Sequence, residues 1–514
     1  MKRIYSYLCL FSLLMLVGSC DKGFVDVNTN PTLPTSVDPV YLFANAEYNA
    51  GQSTLSYQDQ IVQQMVTPFT GVLEGGNHNV VYDPNSNILF NNFYTAPGGA
   101  VVLLTTVIDQ TKANPARSNL YNMARIMKAY IFMVLVDTYG DVPYSEAGLA
   151  YLKSNNLPKY DDQKAIYTDI LNELDQATQA LDGSKTIEVN DLFYKGVITQ
   201  WKRLGFSIML RAAMRLTKAD ATNAQKYVTI AFNGGVMQGN ADNAFVPYDG
   251  NAYPNVNYNS FQGTEKANYY LGEPFVSYLK STGDPRLSRI AVKYDNPGNA
   301  LGSGAGGTGN EDTVSADQIG MPYGYNETTI STAPGYPGKA GNAWKYSQVN
   351  RRTVAKAAGP QFLVTYAQSQ LLLAEAAQRG WITGDPATYY GLGVHGHMDQ
   401  MAQFDVLATI AGPLQDGYLT AHPYNAGTAL EQINTQYWIA SFLNGAEGWA
   451  NFRRSGFPAL TPNPYPSADP AVKGAFIHRL VYPVREQAIN AINYNAAVSR
   501  MGPDNLATHV FWDK

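Results

Sequence analysis

Along this chain apolar residues recur mainly at the three-to-four spacing of helices packed on one face, and seldom at the alternation of strands. The clearest stripe, Leu120, Met123, Met127, Tyr130, Ile131 and Val134, predicts a helix over 119–138 that is stopped by Gly140 with Pro143 beyond. Asp161 and Asp162 offer N-caps to a second helix with Ile166, Ile170, Leu174, Ala177 and Leu181 on one face. A third covers about 197–217, with Trp201, Leu204, Ile208 and Ala212 together. Further helices are predicted over 361–379, over 386–403 behind the cap and first-turn proline Asp385-Pro386, and over 430–443, closed by Asn444-Gly445. Trp201-Lys-Arg-Leu204-Gly205 matches the opening of the tetratricopeptide pattern, whose unit is a helix pair. The fold class is therefore all-α (mainly α): a tetratricopeptide-like helix-pair scaffold with long irregular loops and a few short strands.

The loops are as informative as the helices. Residues 237–262 and 294–350 lack periodicity and are rich in Gly, Pro, Asn and Tyr. Structureless stretches of this length in a packed protein are usually functional loops or disordered.

The N-terminus follows another pattern. Lys2 and Arg3 precede an apolar run over 8–17, interrupted only by Ser12, and then come Gly18, Ser19 and Cys20. A run of about ten residues is too short for a bilayer, which needs roughly twenty. Leu16-Val17-Gly18-Ser19-Cys20 resembles a bacterial lipobox, cut before a cysteine that then carries lipid. The expected organisation is a signal peptide over 1–19, a polar tether over 20–38 beginning at lipidated Cys20, and one helical domain over 39–514. Cys9 lies within the signal, so the mature body has no thiol pair for a disulfide or a thiolate metal site.

Composition narrows the partners. Charged residues are 15%, against a usual ~25%, while the chain holds 36 Tyr, 20 Phe and 6 Trp. The net charge of −5 and the lack of a basic arm or Lys/Arg stripe argue against nucleic acid. Abundant tyrosine, which offers an apolar face and a hydroxyl, suits contact with neutral polar matter.

Catalytic motifs are sparse. Gly302-Ser-Gly304-Ala-Gly-Gly307 satisfies the dinucleotide string but neither follows a predicted strand nor opens a helix. His395 and His397, two apart on a helix, point to different sides, and no carboxylate completes a metal set. HExxH, Walker A and GxSxG strings are absent. No catalytic residue, cofactor or metal is expected. Paired glycosidase carboxylates leave no sequence signature, so a surface glycoside hydrolase stays open as the alternative of another class.

Five strings in order resemble one family. They are Asp26-Val-Asn28-Thr-Asn30-Pro31; Asp137-Thr-Tyr139-Gly140-Asp141-Val-Pro143-Tyr144; Tyr366 through Ala374-Glu375-Ala376 to Arg379-Gly380; Glu447-Gly448-Trp449 through Phe452-Arg453-Arg454 to Pro458; and Arg479-Leu-Val-Tyr482-Pro483-Val-Arg485-Glu486 with Asn490, Asn493 and Asn495. This set is similar to that of the SusD/RagB outer-membrane lipoproteins of Bacteroidetes-type bacteria, with Asn451, Phe457 and Gln368 as small departures. The residues themselves read as structural: paired arginines beside aromatics imply cation–π packing, and Glu375 on an apolar helix implies an arginine partner. The resemblance implies a binding protein, not an enzyme. It would hold a glycan, or in the alternative an oligopeptide, at the cell surface and deliver it to a TonB-dependent, SusC-like transporter. It also implies that recognition comes from about 78–94 and the two loops. The expected ligand contacts are thus Tyr82, Phe90, Tyr94, Tyr253 and Tyr258, with Trp344, Tyr323 and Tyr325 as a stacking platform.

Overall fold

The predicted stripes become a succession of packed neighbours in the computed structural model, which describes residues 37–95, 98–301 and 310–514. Cys20, the Asp26–Pro31 string and the Gly302–Gly307 string lie outside the described residues. Ten helices carry the scaffold: α1 (Pro39–Asn49), α2 (Ala100–Thr111), α3 (Ser118–Tyr139), α4 (Gln163–Gln179), α5 (Ile198–Arg215), α6 (Ala221–Gly234), α7 (Tyr366–Gln378), α8 (Pro386–Phe404), α9 (Ala429–Ala440) and α10 (Gly445–Ser455). Each of α1 to α6 packs on the next. Helix α7 then lies against α5, α8 and α9, and α10 returns to α9 and α3.

Local chemistry explains the boundaries. The Asp162 carboxylate accepts from Lys164 and Ala165 N–H at the start of α4, and Asp385 does the same for α8. Gly140 ends α3 at φ 81°, where a side chain would be strained. The glycine of the tetratricopeptide-like string has a packing role: a Cβ on Gly205 would lie 2.1 Å from Thr178 Oγ1, so its absence lets α5 close on α4. One element departs from the sequence expectation. Residues 361–364 are not helical; Gln361–Val364 (β2) pairs antiparallel with Ala244–Val246 (β1). Helix α7 starts only after Thr365, whose hydroxyl accepts from Gln368 N–H while the Gln368 side chain accepts from Thr365 N–H. The loop over 294–350 likewise contains short strands, such as Lys339–Ala340 paired with Ala343–Trp344.

The four family-like strings that fall within the described residues meet inside the scaffold, the last of them through the Tyr482 hydroxyl, which donates to the Asp141 carbonyl at 2.5 Å. Arg454 grips Glu375 through two bonds of 2.8 and 2.7 Å, and Arg379 adds another at 2.8 Å. Burial pushes the Glu375 carboxyl up, but the two arginines together outweigh it and hold it at about 2. Glu447 accepts from Arg215 at 2.6 Å and from Tyr437 at 2.6 Å, and Arg215 reaches Asp137 at 3.1 Å. Arg453 lies 3.7 Å from the Trp449 ring centroid and donates to the Asp137 carbonyl. Asp141 accepts from Gln163 N–H and pairs with Arg500. The strings are thus shape-holding, as the sequence implied.

Candidate functional site

A cleft of about 580 Å³ opens where the end of α1 faces the first long loop. Tyr48 and Asn49 come from the last turn of α1, and Gly51, Gln52 and Ser53 from the segment after it. Ile88 and Asn92 come from the short helix Ile88–Tyr94, and Tyr248 and Val256 from the loop over 237–262. Its floor is a chain of amides. Asn92 Nδ2 donates to Gln52 Oε1 at 2.5 Å, Gln52 Nε2 to the Asn49 carbonyl at 2.5 Å, and Asn49 Nδ2 to the Gly98 carbonyl at 2.6 Å. Gln361 of β2 donates to the Gln52 carbonyl at 2.5 Å. Strand β2 therefore fixes the cleft as well as the core.

Gly51 makes the close approach possible. A Cβ there would sit 2.6 Å from the Tyr248 hydroxyl and 2.8 Å from Gln361 Oε1. Two tyrosines line the cleft, with a third beside them: Tyr48 meets Tyr248 edge-on at 5.8 Å and Tyr253 at 5.9 Å. Burial raises the Tyr48 hydroxyl, with Tyr253 and Asp249 adding to it, and burial likewise raises Tyr248. Both phenols stay protonated at neutral pH; the Tyr248 hydroxyl donates to Gln361 Oε1 at 3.4 Å, and that of Tyr48 can donate. No carboxylate, imidazole or ammonium lines the cleft among the described residues. Such a surface can stack on apolar C–H faces and exchange hydrogen bonds with neutral polar groups, with no desolvated charge to offset.

The sequence-predicted contacts separate into four groups. Tyr253 is 61% exposed and packs edge-on against Tyr48 without lining the cleft itself; Tyr258, 36% exposed, lies on the same loop. Phe90 and Tyr94 meet at 4.6 Å with their rings tilted by 44°, and they line a smaller pocket of about 190 Å³ with Pro143, Leu157 and Arg485. Phe90 is buried there, and the Tyr94 hydroxyl is engaged by the Pro143 carbonyl at 2.6 Å. Tyr82 is half-buried beside Tyr57, whose hydroxyl accepts its N–H.

The expected platform of Trp344, Tyr323 and Tyr325 does come together, but as a small second core with Val66, Tyr270, Met321 and Ile330. Trp344 is 1% exposed, crossed edge-on by Phe69 and Tyr270 and covered by Lys339 Nζ at 4.8 Å. Tyr323 is buried and donates to the Met65 carbonyl. Rings covered in this way offer a ligand no face, so these two residues pack the loop onto the scaffold. Sequence reasoning missed Tyr48, Gln52, Asn92 and Tyr248. The available signal was Tyr48-Asn49 at a helix end followed by Gly51, an arrangement that only the fold sets opposite Tyr248.

His395 and His397 diverge as expected: His395 bonds Gln415, while buried His397 meets Arg286.

Comparison with known proteins agrees with this architecture. The profile of the SusD-like family, described as "Starch-binding associating with outer membrane", matches residues 31–483. A solved structure named as a chitin-binding protein is 30% identical, with 93% of this chain and 100% of that chain covered and a TM-score of 0.79. A SusD-like structure from Bacteroidetes is 25% identical over 93% of this chain and 100% of its own, with a TM-score of 0.80. A chitin-binding SusD homologue from Flavobacterium johnsoniae shares the fold at 21% identity and a TM-score of 0.74, covering 93% of this chain and 98% of its own. No curated protein sequence matches. With the family profile covering most of the chain and a 30%-identical structure aligned along nearly all of it, this chain belongs to the SusD-like family of outer-membrane-associated carbohydrate-binding proteins.

Proposed function

We propose that this protein captures a neutral oligosaccharide in the Tyr48–Tyr248 cleft, without cleaving it, and passes it to a TonB-dependent transporter of the SusC-like kind. The observation that carries the reading is the uncharged lining of that cleft, with aromatic faces above a floor of amides. The relative at 30% identity directs the choice of sugar to chitin fragments, whose N-acetyl amides suit Asn49, Gln52 and Asn92 as partners. Glycosidic cleavage needs two carboxyl groups about 5–9.5 Å apart across the scissile bond, and the cleft lining contains none among the described residues. Calorimetric titration with chito-oligosaccharides, malto-oligosaccharides and short peptides tests the reading. Saturable binding of chito-oligosaccharides with no reducing ends released is the expected result. Binding of peptides alone would replace the glycan with an oligopeptide, and released sugar would make the protein a hydrolase.

The anchoring reading rests on the lipobox-like ending at Cys20, together with the finding that no described helix is long and apolar enough to cross a membrane. Lipid at Cys20 would hold the protein on the outer membrane, facing outward. Cys20→Ala should end lipid labelling and move the protein out of the membrane fraction; unchanged retention would refute the anchor. Extraction in mild detergent should yield a complex with a β-barrel transporter, and repeated recovery of a lone chain would refute the partnership.

A further inference from the structure

We propose that His478, His509 and Asp513 form a binding site for one divalent transition-metal cation of the Zn2+ type, far in chemistry from the neutral sugar cleft. They are the single His/Cys/Asp/Glu group among the described residues in which one ligand atom from each of three side chains lies within 4.8 Å of the others. Sequence reasoning weighed only His395 and His397 and did not see this set, because the fold brings His478 to the C-terminal segment.

Asp513 is the pivot. It is 5% exposed, and its Oδ2 lies 2.7 Å from His478 Nδ1 and 3.5 Å from His509 Nδ1. Ligands about 2.0–2.2 Å from a tetrahedral ion stand roughly 3.4 Å apart, so the His509 spacing already matches and the His478 spacing must open slightly. Two of the three groups are fixed by backbone bonds. His478 N–H donates to the Leu506 carbonyl at 2.8 Å, and its own carbonyl accepts from Arg453 at 2.6 Å. Asp513 N–H donates to the Val510 carbonyl at 3.1 Å, and the neighbouring Trp512 is fully buried, with its indole N–H on Asp137 at 2.9 Å.

His509 is the adjustable member. Its side chain is 49% exposed and its ring stacks on that of His478 at 3.5 Å and 22°. Both Nδ1 atoms face oxygens, His478 towards the carboxylate and His509 towards the Asp513 carbonyl at 2.9 Å. Each Nδ1 therefore carries its proton as a donor. On binding, each ring would turn its Nδ1 lone pair to the ion and keep a proton on Nε2, as the rings splay. Two imidazoles and one carboxylate favour Zn2+, Co2+ or Ni2+ over Ca2+ and Mg2+, which take oxygen cages. The ion would fasten the C-terminal segment over Arg453, whose guanidinium lies 4.8 Å from the Trp512 ring centroid.

The test uses the full chain purified without a histidine tag and titrated with Zn2+ and with Ca2+. A saturable one-to-one Zn2+ isotherm with no Ca2+ response is expected, at least tenfold weaker in His509→Ala and in Asp513→Asn. Zn2+ should also raise the melting temperature of the parent protein and not that of His509→Ala, which, being half-exposed, should fold normally. Visible absorption bands of a Co2+ complex, absent in the same variant, would report imidazole ligation directly. No saturable Zn2+ uptake, uptake unchanged by His509→Ala, or equal response to Ca2+ would overturn the site.

Discussion

The interior around Glu375 and the cleft beside Tyr48 are both polar, yet they are built on opposite terms. The interior concentrates full charges: Glu375 with Arg454 and Arg379, and Glu447 with Arg215 and Arg211, all but Arg379 buried. The cleft holds amides and phenols with no ion among its lining residues. Charges removed from water must be matched to fixed partners, so these ion pairs constrain how the helices that carry them can pack. Neutral groups on an open surface are cheap to expose and can exchange water for a ligand. The residues most readily recognised in the sequence therefore hold shape, and those proposed to meet the ligand are plain Tyr, Asn and Gln.

The contrast can be broken most forcefully at Arg454. Arg454→Met leaves Glu375 buried with Arg379 as its one remaining cation beside the Asn434 amide, and should lower stability by about 4 kcal/mol in urea unfolding. Protein that still folds should bind sugar with unchanged affinity. Trp344→Ala should cost about 3 kcal/mol by opening a cavity in the second core, read as an early melting transition. If this variant instead melts normally and loses binding, Trp344 belongs to the site and the division drawn here fails.

Acid offers a third test. Glu375 sits at about 2 in the folded protein, below its unfolded value near 4.3, so its stabilisation is complete above that value and is lost as pH falls towards 2. The loss should amount to about 3 kcal/mol, measured as unfolding free energy between pH 5 and 2. Sugar affinity should meanwhile change less than about twofold between pH 5.5 and 8, because no cleft-lining group titrates there. Among the substitutions the smallest effect is expected in the cleft: Tyr48→Ala should weaken sugar binding by about 1 kcal/mol, with the melting temperature nearly unchanged.

The helices were legible because periodicity reports burial directly. The stripe from Leu120 to Val134 and the Asp162 and Asp385 caps returned as α3, α4 and α8 within a few residues. Gln361–Val364 was misread because a short apolar run fits a strand or a helix equally well, although Thr365-x-x-Gln368 marked the true helix start. The site was less legible. An aromatic in an aperiodic loop is written the same way whether it faces solvent, as Tyr253 does, or closes a small core, as Trp344 does. That difference is decided by partners such as Phe69 and Tyr270, which stand far away in the chain.

The ion-pair interior has a consequence for how relatives can diverge. Asp137, Arg215, Glu375, Glu447 and Arg454 come from four separate stretches of chain, and each needs its partner to be tolerable in the core. A segment carrying one of them cannot be exchanged with a relative unless the complementary segment travels with it. Tyr48, Gln52 and Asn92 carry no charge that a partner must neutralise, although Gln52 and Asn92 are hydrogen-bonded to each other. Inherited change should therefore arrive as linked pairs in the scaffold and singly at the cleft, so that one frame can be retuned to many sugars by isolated replacements.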